Sequence, residues 1–163
     1  MLLTALLVSA SDAGWWNRLP MPSIASPERL RASTLMKNGR SAADAEKAVQ
    51  LLEGCLHQSP KDPKLALECA IALNAVMRIK THSNTLHITR MLDTPEHKKV
   101  WRRYGSRALE LASAAKAQYP NDETALVAYA DAYFFANSVK GVLAAATTGS
   151  GLKVRARFEH REV

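Results

Sequence analysis

The residues of this chain best suited to bind a metal or to attack an electrophile are five histidines and two cysteines. The histidines, His57, His82, His87, His97 and His160, never fall four apart on one helical face, and no His-Glu-x-x-His pairing occurs. His82 and His87 share a polar stretch with Asn84 and Arg90. A metal or phosphate site there is the minor alternative to solvated loop residues. Cys55 and Cys69 lie in apolar helical surroundings. Two thiols in a chain of 163 residues do not make a disulfide framework, so buried, inert thiols are expected. No Gly-x-Gly-x-x-Gly or phosphate-loop pattern is present, and Thr148-Gly149-Ser150-Gly151 reads as a linker. No serine sits in a strand-to-helix elbow. Asp131, among Ala130, Ala132, Tyr133 and Phe134, reads as a satisfied polar contact or a solvent-facing residue rather than a general base. These patterns predict a protein that is not an enzyme and needs no metal or cofactor.

Charge offers a different chemistry. The net charge is +7, and its distribution matters more than its total. Eight basic residues lie between Arg78 and Arg107: Arg78, Lys80, Arg90, Lys98, Lys99, Arg102, Arg103 and Arg107. Only Asp93 and Glu96 oppose them. Arg90, Lys98, Lys99, Arg102, Arg103 and Arg107 form a candidate basic patch for phosphate, an anionic membrane surface or an acidic partner. A solvated helix face is the plainer alternative. No ladder of aromatic residues interleaves these charges, which weighs against nucleic acid.

The elements that must carry these residues are helices. Much of the apolar content is alanine, in runs such as Ala144-Ala145-Ala146, and alanine favours helix and close helix approach. A first helix is expected from the Ser26 cap and Pro27 to Asn38-Gly39. A second opens at Ser41-Ala42-Ala43-Asp44, a near capping box, and runs to Gln58. A third follows Asp62-Pro63 and continues to Lys80, with Thr81–Leu92 as a loop. A fourth begins at Asp93-Thr94-Pro95-Glu96 and ends at Gln118; a fifth begins at Asn121-Asp122 and reaches Ala146. The fold class is therefore all-α, with about five main helices. The organisation is an apolar segment with a Pro-rich linker over 1–25, a helical domain over 26–146, and a Gly-containing linker with a basic tail over 147–163. The tail lacks the apolar stripe that would cover a preceding helix pair, so a partner or a longer chain is expected to cover it.

The first ten residues, Met1 to Ala10, are apolar, and small residues follow at Ser11-Asp12-Ala13. If residues 1–13 are a targeting remnant, the chain belongs to an organelle lumen, the periplasm or the exterior; otherwise it is cytoplasmic. No later segment is long and apolar enough to span a bilayer.

An internal repeat organises the helices. Ala48 to Asp62 aligns without a gap on Ala108 to Asp122 at an offset of 60, pairing Leu51 with Leu111 and Pro60 with Pro120. Beyond the turn, Ala70 matches Ala130, Ala72 matches Ala132 and Leu73 matches Tyr133. A small residue five before a turn proline (Cys55, Ala115), then an apolar, a small and a large residue at helical spacing (Ala66, Ala70, Leu73; Leu126, Ala130, Tyr133), resembles the tetratricopeptide repeat. Here the turns are 60 apart rather than about 34. Such lengthened units are similar to the T-component of TRAP transporters and to regulator-of-microtubule-dynamics-like proteins.

The resemblance implies antiparallel helix pairs stacked as a short α-solenoid, with the first helix of each pair lining a groove. Carried onto this chain, the groove residues are Lys64, Ile71, Asn74, Arg78, Thr124, Asp131 and Phe134. The expected function is a scaffold or accessory subunit that holds a protein partner, in an assembly that includes membrane-peripheral ones. Two alternatives stand beside it: a small-ligand carrier with an apolar pocket near Trp101, Phe134 and Phe135, and binding of nucleic acid or anionic membrane through 78–107.

Overall fold

A computed structural model describes residues 26–38, 41–83, 93–142 and 145. The apolar segment and Pro-rich linker of 1–25, the loop from 84 to 92 and the tail 147–163 lie outside the described residues. The described chain is helical and, among those residues, holds no strand. Its helices are α1 (Pro27–Asn38), α2 (Ala42–Gln58), α3 (Pro63–Lys80), α4 (Pro95–Gln118) and α5 (Glu123–Ser138).

Each start has a local cause. Ser41 accepts from the Asp44 N–H, the N-cap expected from the sequence, and donates its hydroxyl to the Asp44 carboxylate at 2.6 Å. Asp62, Thr94 and Asp122 cap α3, α4 and α5, and Pro63 and Pro95 open two of those helices. Helix α3 ends in a Schellman arrangement: Ser83 N–H bonds Arg78 C=O at 2.9 Å and His82 N–H bonds Ile79 C=O. His82 takes the left-handed position with φ 52°, where glycine is usual.

Helix α5 is shorter than the sequence led us to expect. It stops at Ser138 rather than running on to Ala146. Gly141 adopts φ +120°, and the Asp93 carboxylate accepts from the Val142 N–H at 2.9 Å, so the helix ends and the chain starts afresh there. The alanines that made 123–146 look continuous carry no signal for this break.

The 60-residue repeat reappears as geometry. Ser59 N–H bonds Cys55 C=O at 3.0 Å, and Tyr119 N–H bonds Ala115 C=O at 2.9 Å. Asp62 N–H bonds Ser59 C=O at 3.1 Å, and Asp122 N–H bonds Tyr119 C=O at 3.2 Å. Ser59 and Tyr119 share nearly one conformation, φ −133°, ψ 67° against φ −122°, ψ 65°. Pro60 and Pro120 therefore sit in equivalent turns, both exposed. Such short turns force α2 against α3, and α4 against α5, as antiparallel pairs. Every helix packs on the next, and α3 also meets α5, a solenoid-like arrangement.

Helix α3 is the axis of the core. From Leu65 to Met77 every residue except Glu68 is buried, the pattern of a helix covered on all sides rather than along one stripe. Small residues let its neighbours come close, with Cys69, Ala70 and Ala72 on α3 and Ala108, Ala112 and Ala115 on α4 all at 0% exposure. Helices α4 and α5 also approach closely: a Cβ added at Gly105 would stand 3.0 Å from the Ala136 Cα.

Three substitutions test this packing and capping. Asp122→Ala should cost about 1 kcal/mol in urea unfolding through loss of the cap. Asp62→Ala should cost at least as much, because Asp62 also faces Arg29 at 3.4 Å. Gly105→Leu should destabilise by roughly 1–3 kcal/mol, since the backbone of Ala136 cannot yield as a side chain can.

Candidate functional site

Of the groove residues read from the repeat, Ile71, Asn74, Arg78 and Asp131 meet along the seam between α3 and α5, and they divide by role. Ile71 is 1% exposed, in an apolar cluster with Leu67, Ala115, Ala125 and Ala128. Asn74 is 2% exposed, and its Nδ2 donates to the Ala128 carbonyl at 2.9 Å. Both side chains bind α3 to α5 and face no open groove. Asp131 is the satisfied contact anticipated for it, pairing with Arg78 at the partly exposed edge of the seam. Lys64 is exposed, and Thr124 and Phe134 are half-buried. Among the described residues, neither Asn74 Oδ1 nor Arg78 Nε has a hydrogen-bond partner, which leaves polar capacity at the seam.

Repeat register adds residues that the sequence reading passed over. The α5 counterpart of Leu67 is Val127, and that of Leu73 is Tyr133. On α3 these positions are covered, with Leu67 at 6% and Leu73 at 2% exposure. On α5, Val127 is 41% exposed, while Ala130, Tyr133 and Phe134 are half-buried. The α5 side of the stack is thus more open than the same face of α3. The offset of 60 carried that information, because a face that packs helices on α3 is copied onto the last described helix.

The basic stretch also divides. Arg78 pairs with Asp131 and Lys80 with Glu46 at 2.6 Å, while Arg107 clamps the Glu53 carboxylate with two bonds of 3.0 Å and reaches Glu110 at 2.9 Å. Lys98, Lys99, Arg102 and Arg103 make no ion pair among the described residues; Arg103 lies over the Tyr104 ring at 5.0 Å. Arg90 lies outside the described residues, as do His87 and His160.

These pairs tie one helix pair to the next. Tyr104 donates to Glu46 at 2.6 Å, and Arg107 to Glu53, both joining α4 to α2. Arg29 of α1 grips Glu68 of α3 with bonds of 2.7 and 2.8 Å. The Lys80 ammonium and the Tyr104 hydroxyl hold the Glu46 carboxyl below its usual range. Burial and the Glu46 carboxylate push Tyr104 up to about 12. Burial likewise pushes the Cys69 thiol well above the usual range, so it stays protonated and unreactive.

Among the described residues no cluster of three histidine, cysteine or acidic side chains could hold a metal ion. His82 and His97 approach each other with ring centroids 6.4 Å apart, and His97 stands 6.0 Å from Trp101. Trp101 and Phe135 are core side chains at 0% and 2% exposure, with Phe134 packed against the same cluster. No described helix is long and apolar enough to cross a membrane.

The Glu46–Tyr104 tie has a pH signature. The raised Tyr104 pKa means that stability is fully present below pH 10 and is lost as pH climbs toward about 12, because the unfolded tyrosine ionises first. Glu46 acts in the opposite sense: its contribution is present above the ordinary carboxylate pKa and is lost as pH falls through its lowered value. Melting temperature measured from pH 3 to 12 should fall at both ends. Tyr104→Phe should flatten the alkaline limb and Glu46→Gln both limbs.

Comparison with protein families, curated proteins and solved structures gives no match.

Proposed function

We propose that this chain is a non-enzymatic interaction scaffold of tetratricopeptide-like build, a scaffold or accessory subunit that holds a protein partner across α3 and α5. The observation that carries the reading is the same turn occurring twice, 60 residues apart, with the same caps and the same backbone bonds. Stacked helix pairs give an extended surface in place of a closed cleft, and that surface suits a partner segment.

The strongly perturbed ionisable groups support the same reading. Glu46, Arg29 and Arg107 owe their shifts first to pairs that join one helix to another, Tyr104 owes its shift first to burial and then to Glu46, and Cys69 owes its shift to burial. Shifts of this kind arise from structural ion pairs as readily as from catalytic sites. Within the seam, Ile71 and Asn74 fix the relative position of α3 and α5. Lys64, Arg78, Thr124, Asp131 and Phe134 remain to meet the partner at its edge. The mixture of cation, carboxylate, hydroxyl and aromatic ring fits a peptide or helix end that needs both hydrogen bonds and an apolar anchor.

The test is affinity capture followed by mass spectrometry, with the wild-type chain set against a Lys64→Glu, Thr124→Arg double variant. Both positions lie outside the core, so helicity by circular dichroism should not change. Recovery of the principal partner should fall roughly tenfold, equivalent to about 1.4 kcal/mol. Recovery of the same proteins in the same amounts would remove the seam from the binding surface.

A further inference from the structure

Like charges three and four residues apart on a helix repel, and a protein normally disperses or pairs them. Three cations of the 78–107 stretch obey this, since Arg78, Lys80 and Arg107 each hold a carboxylate of another helix. Four do not. Lys98, Lys99, Arg102 and Arg103 occupy about 140° of arc over ~7.5 Å of α4, in contact order Lys98–Arg102, Lys99–Arg102 and Lys99–Arg103. Lys99, Arg102 and Arg103 are exposed, and no carboxylate among the described residues pairs with any of the four. Among the described residues, only the Tyr104 ring beneath Arg103 and the more distant Glu46 carboxylate offset their mutual repulsion.

We propose that this face of α4 docks a short acidic segment of a partner protein, with carboxylates spaced one helical turn apart to meet the Lys98–Arg102 and Lys99–Arg103 rungs. Charge complementarity selects an anionic occupant, and the surroundings select its class. Exposed Glu96 precedes the cations and exposed Glu110 follows them, ~21 Å apart along the axis. A long polyanion or an anionic bilayer would meet those carboxylates, whereas a short acidic segment fits between them. Among the described residues the large exposed apolar side chains, Leu30 and Val127, are on α1 and α5, so the described part of this face offers a bilayer no apolar wedge. The Tyr104 ring is already engaged by Arg103 and its hydroxyl by Glu46, so it is not free to stack a base.

This surface lies apart from the α3–α5 seam. It deepens the scaffold reading and rests on it, but the test uses a defined probe, so the two stand or fall separately. The probe is a fluorescent helical peptide of about 20 residues whose only charges are a short central block of glutamates at i and i+4, a block that fits between Glu96 and Glu110, compared with its glutamine counterpart, a duplex DNA of equal charge and phosphatidylserine vesicles. The full chain should bind the glutamate peptide, and binding should weaken as salt rises from ~50 to ~300 mM. Arg102→Glu with Arg103→Glu should weaken it about tenfold or more. The glutamine peptide should not bind, and the Lys64→Glu, Thr124→Arg variant should bind as wild type does. In a second measurement, Lys99→Gln and Arg102→Gln should each raise Tm by about 1–3 °C, because each relieves repulsion. The proposal is overturned by peptide binding that survives the double reversal or does not occur at all. A Tm that fails to rise overturns its premise. DNA or vesicles that bind through these residues more tightly than the peptide would assign the face to a polyanion or a membrane.

Discussion

Everything in this fold depends on helices approaching closely enough to bury α3 on all sides. A helix buried that completely cannot present large side chains everywhere, because its neighbours would be held too far away to exclude water. Cys69, Ala70 and Ala72 keep α3 slim, and Ala108, Ala112 and Ala115 do the same on the facing side of α4. Larger residues, Leu65, Leu73, Met77, Leu52, Leu56 and Leu111, then fill the grooves between the backbones. Gly105 carries the principle to its limit, since not even a methyl group fits against Ala136 without movement.

Close packing fixes the distance between helices, and polar ties fix their register. Ridges of alanine are smooth, and a helix could slide along them at little cost. The ties occur where sliding would matter: Arg29 with Glu68 between α1 and α3, Arg107 with Glu53 between α2 and α4, and Asn74 with the Ala128 carbonyl between α3 and α5. Each joins elements two apart in the chain, the pairs that no short turn holds. Arg29 and Arg107 use both prongs of the guanidinium, a geometry that specifies direction as well as distance. Partly exposed pairs of this kind contribute little to stability, so alignment is their larger role.

Much of this was legible in the sequence, and the reason is local. Ser26, Ser41, Asp62, Thr94 and Asp122 announce helix starts through chemistry that acts within three residues, and the structure puts a cap at each. The repeat at Pro60 and Pro120 was legible because equivalent turns need equivalent residues. What was not legible depends on contacts distant in sequence. The fresh start after α5 is held by Asp93, 49 residues earlier, which receives the Val142 N–H beside Gly141. Ile71 and Asn74 have the spacing of groove residues, yet the approach of α5 buries both. That Arg78 would find Asp131 while Arg102 finds no carboxylate follows from which helices become neighbours; both are simply arginines on helices when read in order.

A stack of helix pairs has an asymmetry that follows from its build. Each pair is stabilised by the next, so the face that α3 uses to bury Leu67 and Leu73 must appear once more wherever the described stack stops. On α5 it appears as Val127, Ala130, Tyr133 and Phe134, more exposed than their α3 counterparts. The α1 side is different in kind. Its helix, Pro27 to Asn38, is mostly polar and buries only Ala32, as a capping helix should. Leu30 stays exposed on α1 as Val127 does on α5, so the difference between the two ends lies in the half-buried Ala130, Tyr133 and Phe134 of α5. The cations of α4 stand on a third surface, set by exposed polar residues and not by repeat register. Repetition generates the seam and the open side of α5 without further instruction. The four cations, which pair with no carboxylate among the described residues, do not follow from repetition: their counterparts in the offset of 60 are Asn38 at Lys98, Gly39 at Lys99, Ala42 at Arg102 and Ala43 at Arg103. A charge cluster that the repeat does not require, and that the fold does not neutralise, is the feature of this chain least explained by its architecture.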